Sequence, residues 1–318
     1  MRYLISVALV AMLAAACSDD DGTATDKPIF SVLTKDITIP AGTEITYCYY
    51  THTTNTEPEV INKWDVQITN GIHHMIMFLN PSGVQPPDDT FEPDCSLVGT
   101  SMPIWMLASQ ESHDVIELPP DDGFGKPLGQ TLPPKTAVYF QMHFINTSDQ
   151  PIQGHLIVST FGIPKGVQFT ETAAYLTYNN SISLAPGVVN KVESANCPVP
   201  QGVQFWNVVS HSHKQTTHTH IFDSETPDPA AMIYESDDWA HPVPRIWGAT
   251  PFYTFKSPSV TWDCVYDNTG DNKDKTVVSG PSNRDNEMCM VASFMFPATK
   301  PVFCVYDTSI PGGCSCGE

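Results

Sequence analysis

The chain has no long run of helical apolar spacing past its first residues, no second apolar stretch long enough to span a bilayer, and no basic stripe. Its 15 Lys and Arg stand against 35 Asp and Glu, a formal charge of −20 over 318 residues. With so little positive charge to neutralise phosphates, nucleic acid is excluded as a natural partner. GxSxG and HExxH are also missing, which opposes a hydrolase reading, and no CxxC pair exists to support a thiolate metal site. What is plentiful is proline, 28 residues, with many Thr and Val. That mixture opposes helical bundles and favours short strands joined by turns.

Met1 to Cys17, MRYLISVALVAMLAAAC, reads as an export signal: one Arg, then an apolar stretch too short for a membrane span. Leu13-Ala14-Ala15-Ala16-Cys17 is similar to a bacterial lipoprotein signal, in which Cys17 becomes the lipidated first residue. The expected organisation is a signal at 1–16 and a polar tether at 17–28. The mature chain is then exported and membrane-anchored by its lipid alone, on the periplasmic or cell-surface side, as a monomer. Export makes disulfides the natural fate of the other eight Cys, which allow 105 pairings.

Strand signals recur at 36–39, 44–50, 74–79, 137–145, 154–160, 203–209, 217–222, 260–266 and 288–296, bounded by Pro, Gly, Asn or Asp. The expected fold is all-β: two tandem antiparallel β-sandwich domains, 29–165 and 166–306, followed by a Cys-containing tail at 307–318. Two similar turns, Ile39-Pro40-Ala41-Gly42 and Leu184-Ala185-Pro186-Gly187, hint at two domains of one design.

Histidine is where the sequence points to chemistry. His211 and His213 alternate, so on a strand they share one face and present two imidazoles to one metal ion. His218 and His220 form a second such pair, and spacing alone leaves both pairs open as metal ligands. If 214–216 makes a turn, the pairs can face one another; on an unbroken strand they face apart. His73 and His74 are neighbours and point to opposite faces unless a bulge or strand end intervenes, with Gly71 well placed to allow one. His143 stands alone in Tyr139-Phe140-Gln141-Met142-His143. Met288 would pack in a core by default, but beside imidazoles a thioether favours Cu(I).

Taken in order, Gly71-Ile72-His73-His74-Met75, Gln141-Met142-His143, His211-Ser212-His213 and Glu287-Met288-Cys289 resemble the copper type II, ascorbate-dependent monooxygenases. That family includes the peptidylglycine α-hydroxylating and dopamine β-monooxygenases. The resemblance covers about 36–306 and implies two jelly-roll domains flanking an interdomain cleft, with one copper each. His73, His74 and His143 would hold an electron-transfer copper. His211, His213 and Met288 would hold the copper that meets O2 and substrate, and these three would be the catalytic set. His218 and His220 remain the alternative metal pair. Gln141 would support His143 from the same strand face. The implied cofactors are two coppers per chain, O2 and ascorbate or an equivalent reductant. The implied reaction is hydroxylation of an activated C–H bond at two separated sites.

The implied disulfides are Cys48–Cys95, Cys197–Cys304 and Cys264–Cys289, leaving Cys314 and Cys316 without counterparts. Val209, Met290 and Ala292 stand where the peptide-hydroxylating members carry carboxylate-binding side chains. A glycine-extended peptide is therefore not the expected substrate, and a neutral or apolar molecule fits better. The competing expectation is a lipid-anchored copper-binding protein without turnover.

Overall fold

A computed structural model describes residues 27–69, 71–93, 95 and 103–317. The expected export signal at 1–16 and Cys17 lie outside the described residues. Within them the chain is all-β. One 3-10 turn, Pro229–Ala231, is the helical element there. Among the described residues no helix is long and apolar enough to cross a membrane.

The first half is a sandwich of two sheets. One orders Phe30–Leu33, Leu156–Gly162, Glu59–Ile68, Leu128–Leu132 and Thr170–Glu171, with His113–Glu117 also paired to Glu59–Ile68. The other orders Thr90–Pro93, Glu44–His52, Ala137–Ile145, Ile72–Leu79 and Ile104–Ser109. Alternating apolar residues fill the space between them: Trp64 and Val66 from one sheet, Met75, Met77, Phe140, Met142 and Phe144 from the other. This is the in/out periodicity of a half-buried strand turned into a core.

The second half repeats the plan. A sheet of Arg245–Ile246, Gln204–Ser212, Cys289–Phe296, Ala173–Asn179, Val302–Tyr306 and Cys314–Gly317 faces one of Lys191–Pro198, Ser259–Tyr266, Thr216–Phe222 and Met232–Ser236. Trp262, Tyr266, Val260, Ile221 and Tyr175 pack between them. The two like turns seen in the sequence carry equivalent backbones, Gly42 at φ +63° and Gly187 at φ +66°. Both are left-handed positions that glycine takes without a Cβ penalty.

The boundary expected at 165/166 is softened. Thr170–Glu171 still pairs, in parallel, with Leu128–Leu132 of the first sandwich, and the second begins in earnest at Ala173. The halves are bound by more than the linker, because Trp206, Phe252 and Phe296 of the second belong to the apolar cluster of the first.

Candidate metal centre

The two central strands of one N-terminal sheet supply three imidazoles. His143 pairs directly with His74, Phe144 pairs with Ile72, and His73 is the extra residue of a β-bulge between them. The bulge cancels the alternation that would send adjacent side chains to opposite faces. Gly71, at φ +92°, opens it, and its carbonyl accepts the Ile145 N–H. A Cβ there would run into Cδ1 of Ile152. The ring centroids of His73, His74 and His143 consequently lie 5.1 to 5.5 Å apart.

The second half contributes His211 and His213 from the end of Gln204–Ser212. Their alternation holds, with ring centroids 5.6 Å apart. Met290 pairs with His211 and Cys289 with Ser212. The ladder ends there, and Met288 and His213 each lie one residue beyond it. The Met288 backbone is fixed by a hydrogen bond from its N–H to Glu287 and one from the Tyr266 hydroxyl to its carbonyl.

The resemblance implied two separated copper sites, and here the structure differs. His211 lies 5.6 Å from His73 and 5.1 Å from His74, centroid to centroid, and His213 lies 6.4 Å from His73. Five imidazoles form one cluster across the seam between the halves. The three whose ligand nitrogens come closest are His73, His74 and His211, all within 4.8 Å of one another, a set drawn from both expected sites. Apolar contacts of Trp206, Phe252 and Phe296 hold the halves together, which brings the histidine-bearing strand ends face to face.

The hydrogen bonds leave ligand nitrogens free. His143 Nε2 meets Glu44 Oε1 at 2.8 Å. A carboxylate only accepts, so Nε2 carries the proton and Nδ1 keeps its lone pair. His213 Nδ1 meets the Asn286 carbonyl at 3.2 Å, which by the same reasoning leaves Nε2 as the donor atom. His73 Nε2, His74 Nδ1 and His213 Nε2 are buried without a hydrogen-bond partner. Orphaned, buried nitrogens that converge are costly unless something is bound to them. Burial and the neighbouring imidazoles push His73 down to about 3, burial pushes His213 down to about 4, and burial holds His74 and His211 well below 6.5. All four are neutral at neutral pH, the state in which imidazole binds metal. The residues present therefore fit a metal ion, and imidazole suits copper in both oxidation states.

Two carboxylates shape the centre, and single residues of this kind carry no spacing signal in the sequence. Glu44 also accepts the N–H groups of Asn283 and Arg284, at 2.6 and 2.8 Å, and so ties His143 to the segment leading to Met288. Burial alone would raise its carboxyl; His143 and these two amides together hold it below the ordinary range. Glu287 is fully buried and accepts the N–H groups of Gln215, His213 and Met288. Burial outweighs those donors and lifts it to about 8. Gln110 reaches His211 Nδ1 at 3.3 Å, and Trp239 lies 5.6 Å from His73. Gln141 shares the strand face of His143, with Ile76 as its cross-strand partner.

His218 and His220 do not join the cluster. The chain turns at His213–Thr216 and crosses to the other sheet of the sandwich. There His218 is exposed, and His220 is bound to Asp263 at 2.7 Å.

Of the implied disulfides, Cys48–Cys95 and Cys264–Cys289 are formed. Cys197–Cys304 is not: Cys197 pairs with Cys314, and Cys304 with Cys316. The tail strand Cys314–Gly317 runs antiparallel to Val302–Tyr306 and sets Cys316 directly opposite Cys304.

No family model matches the chain, and no curated protein matches it. Among solved structures it is similar to the major capsid protein P2 of bacteriophage PM2, at 7% identity and a TM-score of 0.32 over 82% of this chain and 97% of that one. It is also similar to the PBSX exported protein XepA, at 10% identity and 0.21 over 87% and 88%. The cowpea mosaic virus top component gives 9% and 0.31 over 90% and 94%. Scores this low carry no argument about function, and the architecture rests on the strand pairings described above.

Proposed function

We propose that this chain is an exported copper protein that hydroxylates an activated C–H bond with O2 and an ascorbate-type reductant. The observation that carries the proposal is the cluster of His73, His74, His143, His211 and His213, in which a buried nitrogen of His73, of His74 and of His213 lacks a partner. Copper supplies one-electron redox chemistry and O2 activation when bound. The chain's own groups do the rest. His73, His74, His211 and His213 provide neutral donors, His143 is the fifth imidazole, and Met288 is assigned as the soft ligand. Glu44 and the Asn286 carbonyl fix which nitrogen of His143 and of His213 is presented. Val209 pairs with Ala292, and His211 with Met290. Val209, Ala292 and Met290 are apolar and cannot pair a substrate carboxylate, so a neutral or apolar substrate is favoured over a glycine-extended peptide.

Four disulfides are the mark of a chain that matures in an oxidising compartment. The lipid anchor on Cys17 and the monomeric state belong to the proposal, and mass spectrometry of the mature N-terminus and light scattering read them directly.

The test is elemental analysis of the oxidised protein, followed by oxygen uptake with ascorbate across a panel of neutral substrates. Copper bound at the cluster, lost in His211→Ala, with hydroxylated product formed, is the expected result. No bound copper removes the enzyme reading. A second reading has one observation in its favour: His73, His143 and His213 are 8%, 3% and 0% exposed, an enclosure that suits holding copper without turnover. Full copper loading with no ascorbate-dependent oxygen uptake would select it.

A further inference from the structure

Away from the histidines, four sulfurs meet where the tail closes on the second sandwich. Cys197 ends one strand and Cys304 sits within another, both fully buried. Cys314 and Cys316 alternate on the edge strand Cys314–Gly317, with Cys316 exposed. The two disulfides are not independent. The sulfurs of Cys197, Cys304 and Cys314 all lie within 4.8 Å of one another, and Cys314 Sγ lies 4.0 Å from Cys316 Sγ. Each sulfur thus has, besides its bonded partner, a sulfur of the other bridge close by.

We infer that this cluster is a thiol-exchange site, entered at Cys316 by a small-molecule thiol, that converts the pair Cys197–Cys314 and Cys304–Cys316 into Cys197–Cys304 and Cys314–Cys316. Thiolate attack on a disulfide sulfur forms one S–S bond and breaks another. An external thiolate attacks the exposed Cys316 sulfur, forms a mixed disulfide there and releases Cys304 as thiolate. Cys304 attacks Cys197, forms the Cys197–Cys304 bond and expels Cys314 as thiolate. Cys314 attacks Cys316 across the 4.0 Å gap, closes the Cys314–Cys316 bond and returns the external thiolate. Two disulfides are present before and after, nothing is oxidised or reduced overall, and the small thiol acts as a catalyst. The product keeps a buried staple between the strands of Cys197 and Cys304, while the tail loses both covalent ties and is held by its ladder alone.

The experiment uses the full mature chain, oxygen-free and with a chelator present, incubated with a catalytic amount of 2-mercaptoethanol. After an alkylating quench, the chain is cut without reduction at its methionines, which part Cys197, Cys264, Cys289 and Cys304 from one another, and on either side of Asp307, and the products are weighed. The starting pairing joins three peptides, carrying Cys197, Cys304 and the Cys314/Cys316 pair, into one species. The exchanged pairing gives a two-peptide Cys197–Cys304 species and a separate tail peptide closed on itself. The three-peptide species is expected to fall at least about twofold as the other two rise together. Cys314→Ser and Cys316→Ser are each expected to carry Cys197–Cys304, leaving Cys316 or Cys314 alkylated. A three-peptide species that persists unchanged overturns the inference. So does a mixed disulfide at Cys316 that accumulates with Cys304 alkylated, and so do single variants that each keep their remaining original bridge. The wild-type arm needs no substitution, so it decides the matter even where a variant fails to fold.

Discussion

Glu44 touches a histidine of one sandwich and two backbone amides of the other, so a change there is felt on both sides of the seam. Glu44→Gln keeps an acceptor and removes the charge. It is expected to weaken copper binding roughly 10-fold or more, the usual cost of losing a carboxylate behind a metal-binding imidazole, and titration against a competing chelator measures this. Glu287 and the histidines set opposite slopes in the metal-free protein. A histidine with its folded pKa depressed gives stability that is complete above 6.5 and lost as pH falls through about 4 for His213 and about 3 for His73. Glu287, raised from 4.5 to about 8, gives stability that is complete below 4.5 and lost as pH rises through 8. The two oppose each other between 4.5 and 6.5. The acid limb below that range belongs to the histidines, and the limb from 6.5 to 8 to Glu287. Melting of the metal-free protein across pH is expected to show both limbs. Glu287→Gln is expected to cost about 1–3 kcal/mol, to flatten the upper limb and to leave the histidine slope unopposed between 4.5 and 6.5.

At the scale of the element, the bulge at His73 decides whether the centre exists. Gly71→Ala places a methyl against Ile152 at a left-handed backbone position. A loss of about 1–3 kcal/mol is expected, with copper content falling in parallel because His73 returns to the far face; thermal melting and elemental analysis check the pair. This element was readable in advance: two adjacent histidines sharing a ligand demand a bulge, and the glycine marks where. The alternation of His211 and His213 was readable for the same reason, since side chains on a strand repeat every two residues. Periodicity gives the face of a strand, but not which strand ends meet, so the merging of two ligand sets into one cluster was not legible. The pairing of Cys197 was illegible for a related reason. Four sulfurs within a few ångströms satisfy more than one connectivity, and the register of the tail strand, which no motif announces, makes the choice. Glu44, Glu287, Gln110 and Trp239 act one at a time, and isolated residues leave no pattern to read.

For the whole molecule, the proposed ligands come from both sandwiches, so a bound metal would tie the stability of one to that of the other. With free copper at about 100 times its dissociation constant, stabilisation of roughly 2.7 kcal/mol per site is expected. Calorimetry is expected to show both halves shifting upward together as one transition. Movement of only one of two resolved transitions would mean that each half binds by itself. Trp206 spans the seam, with its ring in the first core and its Nε1 bonded to Thr172. Trp206→Ala is expected to cost about 3–5 kcal/mol and to split the transition in the metal-free protein.

The order of the ligands along the chain has a consequence for how the protein is made. His73, His74 and His143 leave the export channel well before His211 and His213, so a half-delivered chain holds an incomplete set of donors. The centre is finished only when the second sandwich has closed against the first. On the proposed copper reading, metal held at full strength is thus a certificate of completed assembly, issued by the last part of the molecule to arrive.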